Sequence, residues 1–150
     1  GPDQHIVPIP ADGDVHSLSA ILLNDHYYAL VREHHQVRDG VAFATAIALI
    51  PLKAHAWLDL NERARNGEAV KARDIAKHRT DVFRLAATLP GTPGPDLPRE
   101  ILSDLSAFLD SFPEESPEWA AILASLKATL GGNLKPAALR NAVKTYYKIA

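Results

Sequence analysis

Apolar residues that recur at helical spacing are the feature that most constrains the fold of this chain. Steps of three or four residues place such side chains on one face of a helix. The clearest stripes are Ile50, Ala54, Trp57 and Leu58, then Ile75, Val82, Phe83 and Ala86, then Ile101, Leu105 and Phe108, then Trp119, Ile122 and Leu126, and finally Leu139 and Val143. Amphipathic helices bury their stripes against one another, so the sequence predicts a mainly helical bundle of about six or seven helices.

Capping and breaking residues suggest where these helices begin and end. The predicted helices are 17–24, 25–35, 46–66 and 72–89, followed by three that open at Pro98, Ser116 and Pro136. Pro51 lies one turn into the longest helix, which predicts a kinked or separate first turn. Asp39-Gly40 lies between apolar residues and predicts one short β-hairpin. The proline-broken segment 5–10 is typical of extended chain or an edge strand.

The chain divides into parts of different composition. Gly1-Pro2 is typical of an expression-tag scar, and we expect the parent protein to continue before residue 3. Residues 3–89 form the first helical part. Three prolines and two glycines in residues 90–97 predict a linker. Residues 98–150 form a tail of three helices, which we expect to pack on the first part.

Composition excludes several classes of function. The 16 basic and 18 acidic residues nearly balance, which argues against a domain that binds polyanions through bulk charge. The chain has no cysteine, so disulfides and thiolate metal sites are excluded and a cytoplasmic location is the natural expectation. No apolar run reaches the roughly 18–20 residues of a membrane helix, so no membrane partner is expected.

Lys53 is the first candidate functional residue. It lies between Leu49 and Ala56-Trp57, on an otherwise apolar side of its helix. A lysine in this position either extends outward until its ammonium reaches solvent, or projects the ammonium into a cleft that binds an anion. The pattern alone favours the first interpretation.

A second candidate cluster lies on the next helix. It begins at Asp74, which is followed three, four and seven positions later by Lys77, His78 and Asp81. At this spacing the four residues share one helical face. This face could orient a metal-bound phosphate or transfer a proton. It could equally be a solvated surface held by local ion pairs, which is the more common outcome.

The histidines and the last helix provide the remaining candidates. None of the seven histidines has the spacing of a zinc site, so no metal ligands are predicted. Arg140, Lys144 and Lys148 follow one another at steps of four residues and form a basic stripe. This stripe could contact nucleic-acid phosphates, although a solvated face is the more ordinary interpretation.

Several strings together resemble a known family. They are SLSAILLNDHYY at 17–28, DGV at 39–41, LIPLKAHAWLDL at 49–60, RDI at 73–75, KHR at 77–79 and DVFRL at 81–85. In order and spacing they look like the C-terminal half of AbiEii/AbiGii-type nucleotidyltransferases, many of which are toxins of toxin–antitoxin or phage-defence systems. The resemblance covers residues 15–89 and leaves 98–150 as a variable helical tail.

The resemblance implies a chemistry and a set of roles. Such enzymes use Mg²⁺ to transfer a nucleotide from a nucleoside triphosphate to a hydroxyl, and their metal-binding carboxylates lie in an N-terminal catalytic half. This chain contains nothing like that half, so the chain alone is expected to be inactive and to hold no cofactor. Lys53 and Lys77 would bind the nucleotide. Asp81 and Asp74 would be the catalytic carboxylates, with Asp81 positioning the acceptor or a base.

Contacts with other molecules complete the set of expectations. His78, together with Arg140, Lys144 and Lys148, would be the candidates to contact the acceptor, which could be an RNA such as tRNA. The expected partners are the N-terminal catalytic half and, for a toxin, an antitoxin protein. One alternative stays open, in which the bundle is a non-catalytic module that binds protein or nucleic acid.

Overall fold

The computed structural model describes residues 6–8 and 20–150, and for residues 6–8 it describes the backbone only. The strands are β1 (Ile6–Pro8), β2 (His35–Arg38) and β3 (Val41–Thr45), and the helices are α1 (Asp25–Glu33), α2 (Ala46–Arg65), α3 (Ala72–Ala86), α4 (Arg99–Asp110), α5 (Trp119–Leu130) and α6 (Pro136–Tyr147). These six helices confirm the mainly helical fold. Residues 17–19 of the helix predicted at 17–24 lie outside the described residues, whereas residues 20–24 are described and form a short helical turn.

The predicted hairpin is present and forms most of a small sheet. Strands β2 and β3 pair antiparallel with Arg38 opposite Val41. Asp39 and Gly40 turn the chain between them with φ of 51° and 77°, the left-handed values that a tight two-residue hairpin requires. Strand β1 pairs antiparallel with the other edge of β3, so the sheet order is β1-β3-β2. The segment with a predicted extended or edge-strand structure thus supplies the third strand.

Helix α2 runs without a break through Pro51, so of the two predicted alternatives, a separate or a kinked first turn, the separate turn was wrong. Proline has no N–H and cannot bond to the carbonyl four residues earlier, which belongs to Ile47. The hydroxyl of Tyr147, at the end of α6, donates to this carbonyl at 3.0 Å. A tertiary contact therefore replaces the hydrogen bond that Pro51 cannot make.

The core is built around α2, which is buried along most of its first three turns. It packs against α3 on one side and α4 on another. A cluster of aromatic rings joins these helices to the start of α5; its members are Trp57, Phe83, Phe108, Phe112 and Trp119. Residues before and after the linker thus contribute to one continuous hydrophobic cluster.

The predicted linker, residues 90–97, contains no helix or strand but is packed against α6. The Gly94 N–H donates to the Tyr146 carbonyl at 2.8 Å. A Cβ at Gly94 would lie 2.5 Å from Cζ of the Tyr146 ring, well inside van der Waals contact. This close approach is the reason that residue 94 is a glycine.

Candidate functional site

The structure brings Lys53 and Asp81 together across the interface of α2 and α3. The Lys53 Nζ donates to Asp81 Oδ2 at 3.0 Å, although the two residues are 28 positions apart in sequence. Their side chains are 8% and 18% exposed. The lysine does not extend out to solvent as the pattern alone favoured, because the carboxylate gives its ammonium a partner close to the core.

Asp81 is also bonded to a second cation. Arg84, one turn later on α3, donates from Nη1 to Asp81 Oδ1 at 2.8 Å. Its Nε donates to the Thr129 hydroxyl of α5 at 3.3 Å, so the guanidinium spans the gap between the two helices. Both oxygens of Asp81 therefore accept hydrogen bonds from cations.

A groove between α3 and α5 lies beside this cluster. It has a volume of about 370 Å³, and Asp81, Arg84, Lys77, Arg79 and Ser125 are among the residues that line it. The Arg79 Nη1 lies 3.3 Å from Glu118 Oε2, at the start of α5. The predicted nucleotide-binding residue Lys77 thus lies at the same groove as Asp81.

The predicted polar face of α3 does not have one environment. His78 is fully buried, whereas Lys77 is exposed and Asp74 is half-buried. Helix α3 contacts α2, α5 and α6, so parts of its polar face are covered as well as its apolar stripe. Asp74 lies two turns before Asp81, about 10 Å along the helix axis. The interpretation of this face as uniformly solvated does not describe the structure.

The three residues of the basic stripe on the last helix make different contacts. The Arg140 Nη1 donates to the carbonyls of Leu109 at 2.6 Å and Phe112 at 3.0 Å, which satisfies acceptors left open at the end of α4. Lys148 pairs with Asp96. Lys144 is half-buried. Two members of the stripe therefore have internal partners, and their contact with an acceptor molecule stays a prediction.

A second polar cluster was not predicted from the sequence. Asp104 on α4 accepts two hydrogen bonds on Oδ2, from the Tyr27 hydroxyl of α1 at 2.6 Å and from His55 Nδ1 of α2 at 2.8 Å. His55 is about one-third exposed and lies with its ring 5.0 Å from that of Tyr27. The three residues come from three helices, so no spacing along the chain could have indicated the cluster.

The hydrogen bonds in this cluster shift the pKa values of Asp104 and Tyr27. Burial alone would raise the pKa of Asp104, but hydrogen bonds from His55 and Tyr27 and the electrostatic interaction with His55 together lower it. Burial, with the hydrogen bond to Asp104 and the charge of that carboxylate, raises the pKa of Tyr27 well above its usual range. The cluster is therefore a carboxylate held between a neutral phenol and an imidazole, with the second imidazole nitrogen, Nε2, left to other contacts.

Two kinds of feature are absent from residues 20–150 and from the short strand β1. This part of the chain contains no group of three or more histidine or carboxylate side chains that could hold a metal ion. None of its helices has both the length and the apolar character needed to span a membrane.

Comparison with protein-family models, with curated proteins and with solved structures found no significant match.

Proposed function

We propose that this chain is the substrate-side helical part of a cytoplasmic, Mg²⁺-dependent nucleotidyltransferase. The observation that carries the proposal is the contact between Lys53 and Asp81. The family resemblance assigns one of them to the nucleotide and the other to catalysis, and such roles require that they lie close together. A nearly buried ammonium beside a groove that Lys77, Arg79 and Arg84 line is also a suitable partner for phosphate oxygens.

In the proposed reaction, an oxygen of the acceptor hydroxyl forms a bond to the α-phosphorus of the triphosphate. The bond between that phosphorus and the pyrophosphate oxygen breaks, pyrophosphate leaves, and the hydroxyl proton is released. Lys53 adds positive charge near the triphosphate, and Lys77 binds the nucleotide at the edge of the groove. Asp81 acts as a positioning residue, because both of its oxygens hold cations in place.

Mg²⁺ would neutralise phosphate charge in such a reaction. The described residues do not fit a magnesium site, because they include no suitable group of carboxylates. In this proposal the metal-binding carboxylates belong to an N-terminal catalytic half that would be the main partner of this chain. The chain contributes charge and orientation, and its acceptor is a hydroxyl of an RNA or of another molecule.

One observation favours a second function, a module that binds a protein partner such as an antitoxin. Four apolar side chains between residues 23 and 41 are more than half exposed: Leu23, Tyr28, Val37 and Val41. Large apolar side chains exposed within one stretch of the sequence are consistent with a contact region. A longer protein that binds such a partner but transfers no nucleotide would favour this function over the first.

The test of the proposed function is transfer of an α-labelled nucleotide to RNA by the longer protein that the proposal requires. Lys53→Ala should lower the rate by about 30- to 1,000-fold, which corresponds to losing about 2–4 kcal/mol of transition-state stabilisation. Arg65→Ala is the matched control, because Arg65 is an exposed cation at the end of the same helix. Equal rates for the two variants would contradict the role of Lys53. The chain by itself should transfer no label.

A further inference from the structure

We propose that strand β2 pairs with β2 of a second copy of this chain, so that two three-stranded sheets join into one sheet of six strands. Strand β2 lies at the edge of its own sheet, since the strand order is β1-β3-β2. An edge strand presents unpaired backbone N–H and C=O groups, which are the groups that another strand recognises. The inference goes beyond nucleotidyl transfer and does not depend on it.

The register of the hairpin determines which backbone groups of β2 face outward. Arg38 closes the two-residue turn, so alternate residues back along the chain from Arg38 direct their backbone groups at β3. The Thr45 N–H donates to the His34 carbonyl at 3.0 Å, which agrees with this alternation. The N–H and C=O groups of His35 and Val37 therefore face away from the sheet, on a side where the described part of the chain supplies no strand.

The outer edge of β2 lacks most of the features that keep edge strands from pairing, which are proline, bulges and charged side chains. The strand contains no proline, and its register with β3 runs without a bulge. His35 Nδ1 donates to the Arg32 carbonyl at 2.8 Å, which holds the imidazole at the end of α1. Val37 is 62% exposed, and the charged Arg38 lies on the opposite face of the sheet from it.

A second copy fits this edge because antiparallel pairing about Gln36 repeats the same contacts on both sides of a two-fold axis. His35 of each chain then lies opposite Val37 of the other, and both pairs are of the kind that exchanges two backbone hydrogen bonds. The two Val37 side chains become diagonal neighbours on one face of the sheet. Ala42, which pairs with Val37 inside the hairpin and is also exposed, extends this apolar surface.

The charges on β2 permit this arrangement. The Arg38 residues of the two copies lie at opposite ends of the paired segment, about 14 Å apart along the strands. This distance exceeds the screening length of about 8–10 Å at physiological salt, so the repulsion between them is small.

The shortness of β2 limits the strength of the dimer. A four-residue edge buries much less than the roughly 800 Å² per partner of a standard interface. We therefore expect a weak, reversible dimer that forms between about 0.01 and 1 mM chain.

The test combines sedimentation equilibrium over that concentration range with amide hydrogen exchange. We expect a monomer–dimer equilibrium, in which the amides of His35 and Val37 exchange more slowly as the dimer forms. The amide of Gly91, an exposed residue far from β2 in sequence, should be unaffected. A chain that stays monomeric throughout would overturn the inference, and so would a dimer that leaves both amides unprotected. A dimer formed by a chain whose longer protein transfers no nucleotide would support the inference and contradict the proposed function.

Two substitutions of Val37 separate backbone pairing from side-chain contact. Val37→Pro removes an outward N–H and leaves the hydrogen bonds of Gln36 and Arg38 with β3, so it should weaken the dimer by about tenfold or more. Val37→Thr keeps the N–H and the branched side chain, so it should change the dissociation constant by less than about threefold. Equal dissociation constants for the two variants would contradict backbone pairing.

A charged variant tests the same edge without a change to the backbone. Val37→Lys places two ammonium groups on diagonal positions and should weaken the dimer by about tenfold or more. Val41→Lys is the matched control, because Val41 is an exposed valine of the same hairpin that lies on β3 and on the other face of the sheet. If the two lysine variants weakened the dimer equally, the edge of β2 would not be the interface.

Discussion

The hydroxyl of Tyr147 should stabilise the fold specifically because residue 51 is proline. Tyr147→Phe removes the donor that the Ile47 carbonyl uses at 3.0 Å, in a region where Tyr147 is 2% exposed. A buried carbonyl left without a partner costs about 1–3 kcal/mol. We therefore expect the free energy of unfolding, measured by urea denaturation, to fall by about that amount. For a domain of this size the melting temperature should fall by about 2–4 °C per kcal/mol.

A double-mutant cycle tests the physical reason. Pro51→Ala restores an N–H that can donate to the Ile47 carbonyl, so Tyr147→Phe should cost about 1 kcal/mol less in that background than in the original chain. Tyr146→Phe is the control, because the Tyr146 hydroxyl makes no hydrogen bond within the described residues, and it should cost less than about 0.5 kcal/mol. The reasoning would be refuted if Tyr147→Phe cost the same with proline and with alanine at position 51.

Two further predictions concern the unpredicted cluster and the linker. The pKa of Asp104 is lowered in the folded chain, so its stabilising contribution is present above its unfolded pKa of about 3.9 and is lost as the pH falls through the folded value. Asp104→Asn should therefore make the urea midpoint less dependent on pH below about 4. An unchanged pH dependence would contradict this reasoning. Gly94→Ala should lower the free energy of unfolding by about 1–3 kcal/mol, because its Cβ would overlap the Tyr146 ring. Gly91→Ala, which has open space around it, should be nearly neutral by thermal denaturation. Equal losses of stability for the two variants would contradict the close approach.

The helices and the hairpin could be predicted because their signals are local. The residues that form the apolar stripe of α2 are each only a few positions apart in sequence, and those of the Asp39-Gly40 turn are adjacent. The structure confirms both elements. The predicted separate first turn of α2 failed for a different reason. The group that compensates for Pro51 is Tyr147, about 100 residues away, and no local pattern contains it.

The candidate site was only partly accessible to the same reasoning. Lys53 was notable because a cation on an apolar stripe needs an explanation, and the family resemblance paired it with Asp81. Arg84 and Ser125 gave no such signal, since exposed polar residues on helices are ordinary. The structure brings them to the same groove because α3 packs beside α5. The burial of His78 likewise depends on which neighbouring helices cover α3.

In the proposed function Lys53 acts on a nucleotide, in addition to forming a structural ion pair with Asp81. One double variant separates these two roles. Lys53→Met alone leaves Asp81 without its core-side cation and should destabilise the fold by up to about 3–5 kcal/mol. Lys53→Met combined with Asp81→Leu replaces the pair with apolar groups and should restore most of that stability. Nucleotide transfer by the longer protein should remain lost in the double variant. Recovery of transfer together with stability would contradict the claim, because the pair would then serve the fold alone.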